Sequence, residues 1–170
     1  MKRILTAIIS LMLLMTIALP AIAESVTTRA ETVSYNDLLY RYEESGTATL
    51  YGHRAEASTD VVVPNEVYGH RVTAVAMNTF RQNDNNPSWA ITSIYMPSVE
   101  EIEYAAFYST TSLKSAFMPR VKNIAEFAFR NARVMETITF YNIETIGNNA
   151  FADCKSLSDI WFYGDAPTTV

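Results

Sequence analysis

Two histidines, one cysteine and a run of carboxylates are the side chains of this 170-residue chain best equipped for chemistry. The histidines stand in an echo, Tyr51-Gly52-His53-Arg54 and Tyr68-Gly69-His70-Arg71, which reads as a pair of turns reusing one local sequence. A transition-metal site needs more ligands at helical or hairpin spacing, and no such cluster surrounds either histidine. Cys154 is the single cysteine, so an internal disulfide is excluded. It shares a column of small residues with Thr110 and Ala132, and no histidine accompanies it in the pattern, so it reads as a packed thiol and not a nucleophile. Glu100, Glu101 and Glu103 form a charge run of the kind a solvated face carries, without the pairing that acid–base work requires. A glycine-rich phosphate loop is absent as well. The expectation is a protein without catalytic residues, metal site or cofactor.

The elements that must position these residues are built from abundant apolar material: 49% of the chain is hydrophobic and 12% aromatic, enough for one modest core and too much for a disordered tail. Lys2-Arg3, the apolar run from Ile4 to Leu19, Pro20 and Ala21-Ile22-Ala23 read as an export signal cleaved after Ala23. A membrane anchor is the competing reading, but the run is short for about 30 Å of hydrocarbon. With Lys2 and Arg3 removed, eleven Lys and Arg face eighteen Asp and Glu, a balance of −7. Such a surface repels phosphate backbones, so nucleic acid is excluded as a partner, and no membrane span is expected after cleavage.

A repeat of 22 residues organises the rest. Blocks starting at Ile91, Leu113, Met135 and Leu157 align without a gap. Position 4 holds Ile94, Ala116, Ile138 and Ile160, and position 6 holds Met96, Met118, Phe140 and Phe162. Later columns hold Val99, Val121 and Ile143, then Ile102, Ile124 and Ile146, then the pairs Ala106-Phe107, Ala128-Phe129 and Ala150-Phe151. A degenerate copy precedes them, with Val61-Val62-Val63-Pro64 as its strand and Val72, Val75 and Phe80 in the later columns. Its two insertions, Asn65 to His70 and Arg81 to Pro87, read as loops. Upstream, two β-prone runs around Gly46 predict a hairpin that caps the first coil. The division that follows is a signal peptide over 1–23, a flexible segment over 24–36 and one domain over 37–170. Within the domain, a cap occupies 37–59, with repeats over 60–90, 91–112, 113–134 and 135–156 and a partial repeat over 157–170.

The pattern L-x-x-I-x-x-P, then V-x-x-I-x-x-x-A-F, then Cys-x-x-Leu resembles the bacterial surface-antigen (BspA-like) class of leucine-rich repeats. The segment VVVPNEVYGHRVTAV resembles that class's opening repeat and FYGDAP its late repeat. The likeness departs at Ala116, where a larger aliphatic is usual, and at Tyr141 and Tyr163, which replace the proline seen as Pro97 and Pro119. The resemblance implies an α/β leucine-rich-repeat solenoid dominated by short parallel strands, made by a bacterium. It further implies secretion or surface display, periplasmic if the source has an outer membrane, with a role in adhesion or recognition of a protein or glycan ligand.

Positions 1, 4 and 6 are expected to face inward, with Val-x-x-Ile forming the returning side and Ala-Phe closing the coil through a short helical or irregular turn. Phe107, Phe129 and Phe151 are then an internal aromatic spine. Function is left to the outward columns. Position 5 reads Tyr95, Phe117, Thr139 and Trp161, and neighbouring strands lie about 4.8 Å apart, so the rings form a stripe on which a sugar face or an apolar side chain can lie. Thr92, Lys114 and Glu136 flank it with hydrogen-bonding groups. A bland alternative stands beside this one: aromatics suit strands, and the stripe shields the sheet in a structural spacer or display module without a ligand.

Overall fold

The computed structural model describes residues 32–54, 59–82, 90–165 and 167, and the predicted signal segment over 1–23 lies outside them. The chain forms a β-solenoid with two ladders. One is a five-stranded parallel sheet in the order β13-β11-β9-β7-β4, made of Asp60–Val62 (β4), Ser93–Tyr95 (β7), Ser115–Phe117 (β9), Thr137–Phe140 (β11) and Asp159–Phe162 (β13). Its register is that of the repeat, since Ile94 pairs with Ala116, Ala116 with Ile138 and Ile138 with Ile160. Val61 pairs with Ile94, so the degenerate copy joins in the same columns.

The returning side is a second sheet. Glu101–Ile102 (β8), Asn123–Ile124 (β10) and Thr145–Ile146 (β12) continue in parallel from His70–Val75 (β6) and Thr47–His53 (β3). Beyond β3, Leu38–Tyr42 (β2) and Thr32–Tyr35 (β1) are antiparallel, with β2 joined to β3 through a turn ending at Gly46. Ile91, Ile94 and Met96 and their counterparts Leu113, Ala116, Met118, Met135, Ile138 and Phe140 are buried between the two ladders. The predicted inward positions 1, 4 and 6 are therefore observed in these three coils.

The α/β description is corrected: the described residues contain no helix. Each coil is closed instead by turns with two left-handed residues four apart, Ala105 and Ser109, then Phe127 and Asn131, then Asn149 and Asp153. An α-helix needs right-handed φ and ψ at every residue, so this pair of reversals excludes one. Between the reversals the Ala-Phe backbone bonds to the next coil, Phe107 N donating to Ala128 O at 2.7 Å and Phe129 N to Ala150 O at 2.8 Å. These bonds hold the rings in the expected spine, with centroids 4.8 Å apart for Phe107–Phe129 and 5.4 Å for Phe129–Phe151. The spine extends further than predicted, through Phe80 to His53.

The first insertion is also corrected. It contains a strand, Glu66–Val67 (β5), antiparallel to β6. Tyr68 and Gly69 both have positive φ, 49° and 84°, the geometry of a two-residue type I′ turn, and glycine takes it without a Cβ penalty. Most of the second insertion lies outside the described residues.

Candidate functional site

Strand alternation turns positions 3 and 5 of the five-stranded sheet outward once 4 and 6 are buried. Tyr95 and Phe117 are each 40% exposed, and their rings stack at 5.5 Å with planes 17° apart. The register sets Thr139 next and Trp161 after it, so the stripe read from the sequence breaks at Thr139. The aromatic track instead steps sideways to position 7. Phe117 meets Tyr141 edge-on at 6.1 Å, and Tyr141 stacks on Tyr163 at 4.9 Å. Tyr141 and Tyr163 are the two departures from the repeat's proline, and that departure was the only signal in the sequence that could have disclosed them. Trp161 is exposed beside this track at the last coil.

The flanking column is uneven. Lys114 N donates to Thr92 O and Glu136 N to Lys114 O, which stacks the three residues along one side of the ridge. Thr92 is already engaged: its hydroxyl donates to Asp60 Oδ1 at 2.9 Å, while Ser93 Oγ donates to the same oxygen at 2.7 Å. Those two bonds, Ser93 foremost, hold the Asp60 carboxyl below its usual range. Lys114 and Glu136 are exposed.

On the opposite flank a ladder of charge crosses the coils. Glu100 accepts from Arg71 through one carboxylate oxygen and from Lys122 Nζ, at 2.8 Å, through the other. The Lys122 bond is the larger cause of a lowered Glu100 carboxyl, and Glu100 in turn raises the Lys122 ammonium. Arg71 follows the β5–β6 turn, so the insertion supplies the third member; the repeat columns alone do not show it.

The histidines and the cysteine sit in packing contacts. His53 closes the aromatic spine on Phe80 at 5.8 Å, and burial lowers its imidazole below the usual histidine range. His70 stacks on Tyr42 at 4.1 Å. Tyr51 and Gly52 lie inside β3, so only the second copy of the echo forms a turn, contrary to the expected pair. Cys154 donates its thiol to Phe129 O at 3.1 Å, and burial pushes it up to about 11. Among the described residues no three His, Cys, Asp or Glu gather as metal ligands, and no helix is long and apolar enough to cross a membrane.

Coils of 22 residues, two parallel ladders and a stacked Phe spine define a leucine-rich-repeat solenoid. The chain matches the model of the BspA type leucine rich repeat region in six copies over residues 73–168, and it belongs to that family. It is similar in fold to a leucine-rich repeat protein from Bacteroides capillosus ATCC 29799, at 24% identity over 77% of this chain and 97% of that one, with a TM-score of 0.67. A leucine rich cell surface protein from Faecalibacterium prausnitzii A2-165 matches at 19% identity, 78% and 42% coverage and a TM-score of 0.57. The T. pallidum leucine rich repeat protein matches at 18% identity, 76% and 71% coverage and a TM-score of 0.60. No curated protein matches the chain.

Proposed function

We propose that this protein is an exported, non-catalytic recognition module, displayed at the cell surface or released, that binds a protein or glycan ligand along the outer face of its five-stranded sheet. The observation that carries this reading is the exposed ring track Tyr95–Phe117–Tyr141–Tyr163, in which each ring contacts the next. Aromatic side chains held rigid by stacking present large apolar area at little entropic cost, which is how few residues come to dominate an interface. The leader-like segment over 1–23 and the cell-surface protein among the structural relatives support export. In this reading β2 and β3 cover the first coil as the cap (37–59) of a single domain over 37–170, and β1, paired with β2, draws Thr32–Tyr35 of the segment expected to be flexible over 24–36 into the sheet.

The spacer reading has one observation in its favour, since rings that stack on each other also shield the sheet. A double substitution, Tyr95→Ser with Phe117→Ser, separates the two. Against a screen of glycans and extracellular-matrix proteins, recognition predicts that binding of the best partner falls by at least about tenfold while the unfolding midpoint stays nearly constant. A spacer predicts the reverse, lost stability of about 0.2–1 kcal/mol per cross-strand pair with binding unchanged, and that result would remove the ridge as a site.

A further inference from the structure

Where each coil leaves the five-stranded sheet, positions 7, 8 and 10 read Pro97, Ser98 and Glu100, then Pro119, Arg120 and Lys122, then Tyr141, Asn142 and Glu144. Two open clefts follow this corner. The first, about 390 Å³, is lined by Glu100, Pro119, Arg120, Lys122, Tyr141 and Asn142. The second, about 310 Å³, is lined by Asn65, Glu66, Arg71, Ser98 and Arg120. Arg120 borders both.

The charges in the first cleft do not cancel. Both oxygens of Glu100 are taken by Arg71 and Lys122, so this carboxylate is more than matched by its own neighbours. Arg120 is exposed and has no hydrogen-bond or ion-pair partner among the described residues. A guanidinium offers five donors in a planar fork that fits a carboxylate through two of them. Beside it stand the exposed ring of Tyr141 and the Asn142 amide. Glu66 in the second cleft and Glu144 near Lys122 confine the positive field to the surroundings of Arg120. An isolated carboxylate is matched there; a dense polyanion is not.

We propose that this corner cleft holds a carboxylate carried on a sugar ring, one unit of an acidic glycan of the uronic-acid kind, with Arg120 gripping the carboxylate and the exposed part of the Tyr141 ring packing against the sugar. The inference rests on the ridge reading, because Tyr141 is a member of that track and the rest of the glycan continues over Phe117 and Tyr95. Spacing favours a glycan over an acidic peptide. Ridge rings follow one another at 4.9 to 6.1 Å, whereas side chains on one face of an extended peptide repeat at about 6.7 Å and drift off the rings within a few coils. A pyranose chain repeats at a shorter interval than one face of an extended peptide and so stays nearer the ring spacing along the exposed side of the track.

Calorimetric titration of the full chain with trigalacturonate, its methyl ester and triglutamate tests this. The acid is expected to bind at least about tenfold more tightly than either other probe, the weight of one charge-assisted bidentate contact. Arg120→Gln should bring the acid to the level of the ester with an unchanged unfolding midpoint, Arg120→Lys should recover only part, and Lys155→Gln, on a remote exposed residue, should change nothing. Equal binding of acid and ester, undiminished binding by Arg120→Gln, or no binding of any probe would overturn the cleft. Triglutamate bound as tightly as trigalacturonate would reassign it to acidic peptides. If the Tyr95→Ser, Phe117→Ser protein keeps full affinity for the acid and its dependence on Arg120, the ridge fails while the cleft stands. Loss of binding by that protein with indifference to Arg120→Gln keeps the ridge and removes the cleft.

Discussion

The coil over 135–156 and the final coil from Leu157 carry nearly the same inward residues and differ in what lies next to them. Ile138 and Phe140 are 0% exposed, while Ile160 and Phe162 in the matching positions are 42% and 41% exposed. Backbone pairing is intact in both, with Ile138 against Ile160 and Phe140 against Phe162. Burial in this fold is thus a property of the stack: a coil's apolar columns are covered by neighbours on both sides, and one covered on a single side leaves about half of its apolar surface in water. The same contrast runs along the turn column, where Thr110 and Ala132 are fully buried and Cys154 only half-buried.

The largest effect should come from the spine. Phe129→Ala should cost about 3–5 kcal/mol, because its ring is fully buried between Phe107 and Phe151 and its loss leaves a walled cavity. Phe162→Ala should cost only about 1 kcal/mol, since part of the ring is already hydrated and no closed cavity forms. Chemical denaturation of the two variants measures the difference; equal costs would mean that the last coil is as well covered as the middle ones.

Next comes Cys154. With its thiol raised to about 11, the thiolate fraction at pH 8 is on the order of 10²-fold below that of a free cysteine, and alkylation by iodoacetamide should be slowed accordingly. Reaction at the rate of a model thiol would show that this column is fully exposed at Cys154.

The smallest effect belongs to the surface ladder. Glu100 is held below the usual carboxyl range when folded, so its contribution is present above the unfolded glutamate value and is lost as pH falls through the folded one. Glu100→Gln should lower Tm at neutral pH by no more than about 3 °C and flatten the acid limb of stability. An unchanged acid limb would show that the clamp by Arg71 and Lys122 adds nothing to folding.

Much of this architecture was legible because a solenoid turns long-range contacts into a period. Once 22-residue columns align, the neighbour of Phe107 is Phe129 whatever the path between them, and the inward columns follow without any knowledge of the fold. The failures lie where that period is interrupted or where a column changes residue type. The type I′ turn at Tyr68-Gly69 gives the insertion a strand and carries Arg71 to Glu100, a contact that no repeat position encodes. The turn expected as short helical or irregular takes the irregular form, with left-handed residues that include Ala105 and Phe127, for which no local preference announces positive φ.

By itself the sequence determined the repeat length, the inward columns, the Phe spine and the exposure of Tyr95 and Phe117, because strand alternation and stacking at constant spacing depend only on residue order. Only the tertiary structure decided where the ridge goes after Phe117. Thr139 occupies the expected column, and the track passes to Tyr141 because ring centres 6.1 Å apart can meet edge-on across neighbouring columns, a relation lateral to the period and invisible along the chain. The two Tyr-Gly-His-Arg segments make the same point. One lies in β3 and the other bends through a turn, and their histidines stack on Phe80 and Tyr42. Identical local sequences take different backbone conformations because the neighbouring strand supplies hydrogen bonds and ring partners whose free energy exceeds the small local preference of four residues.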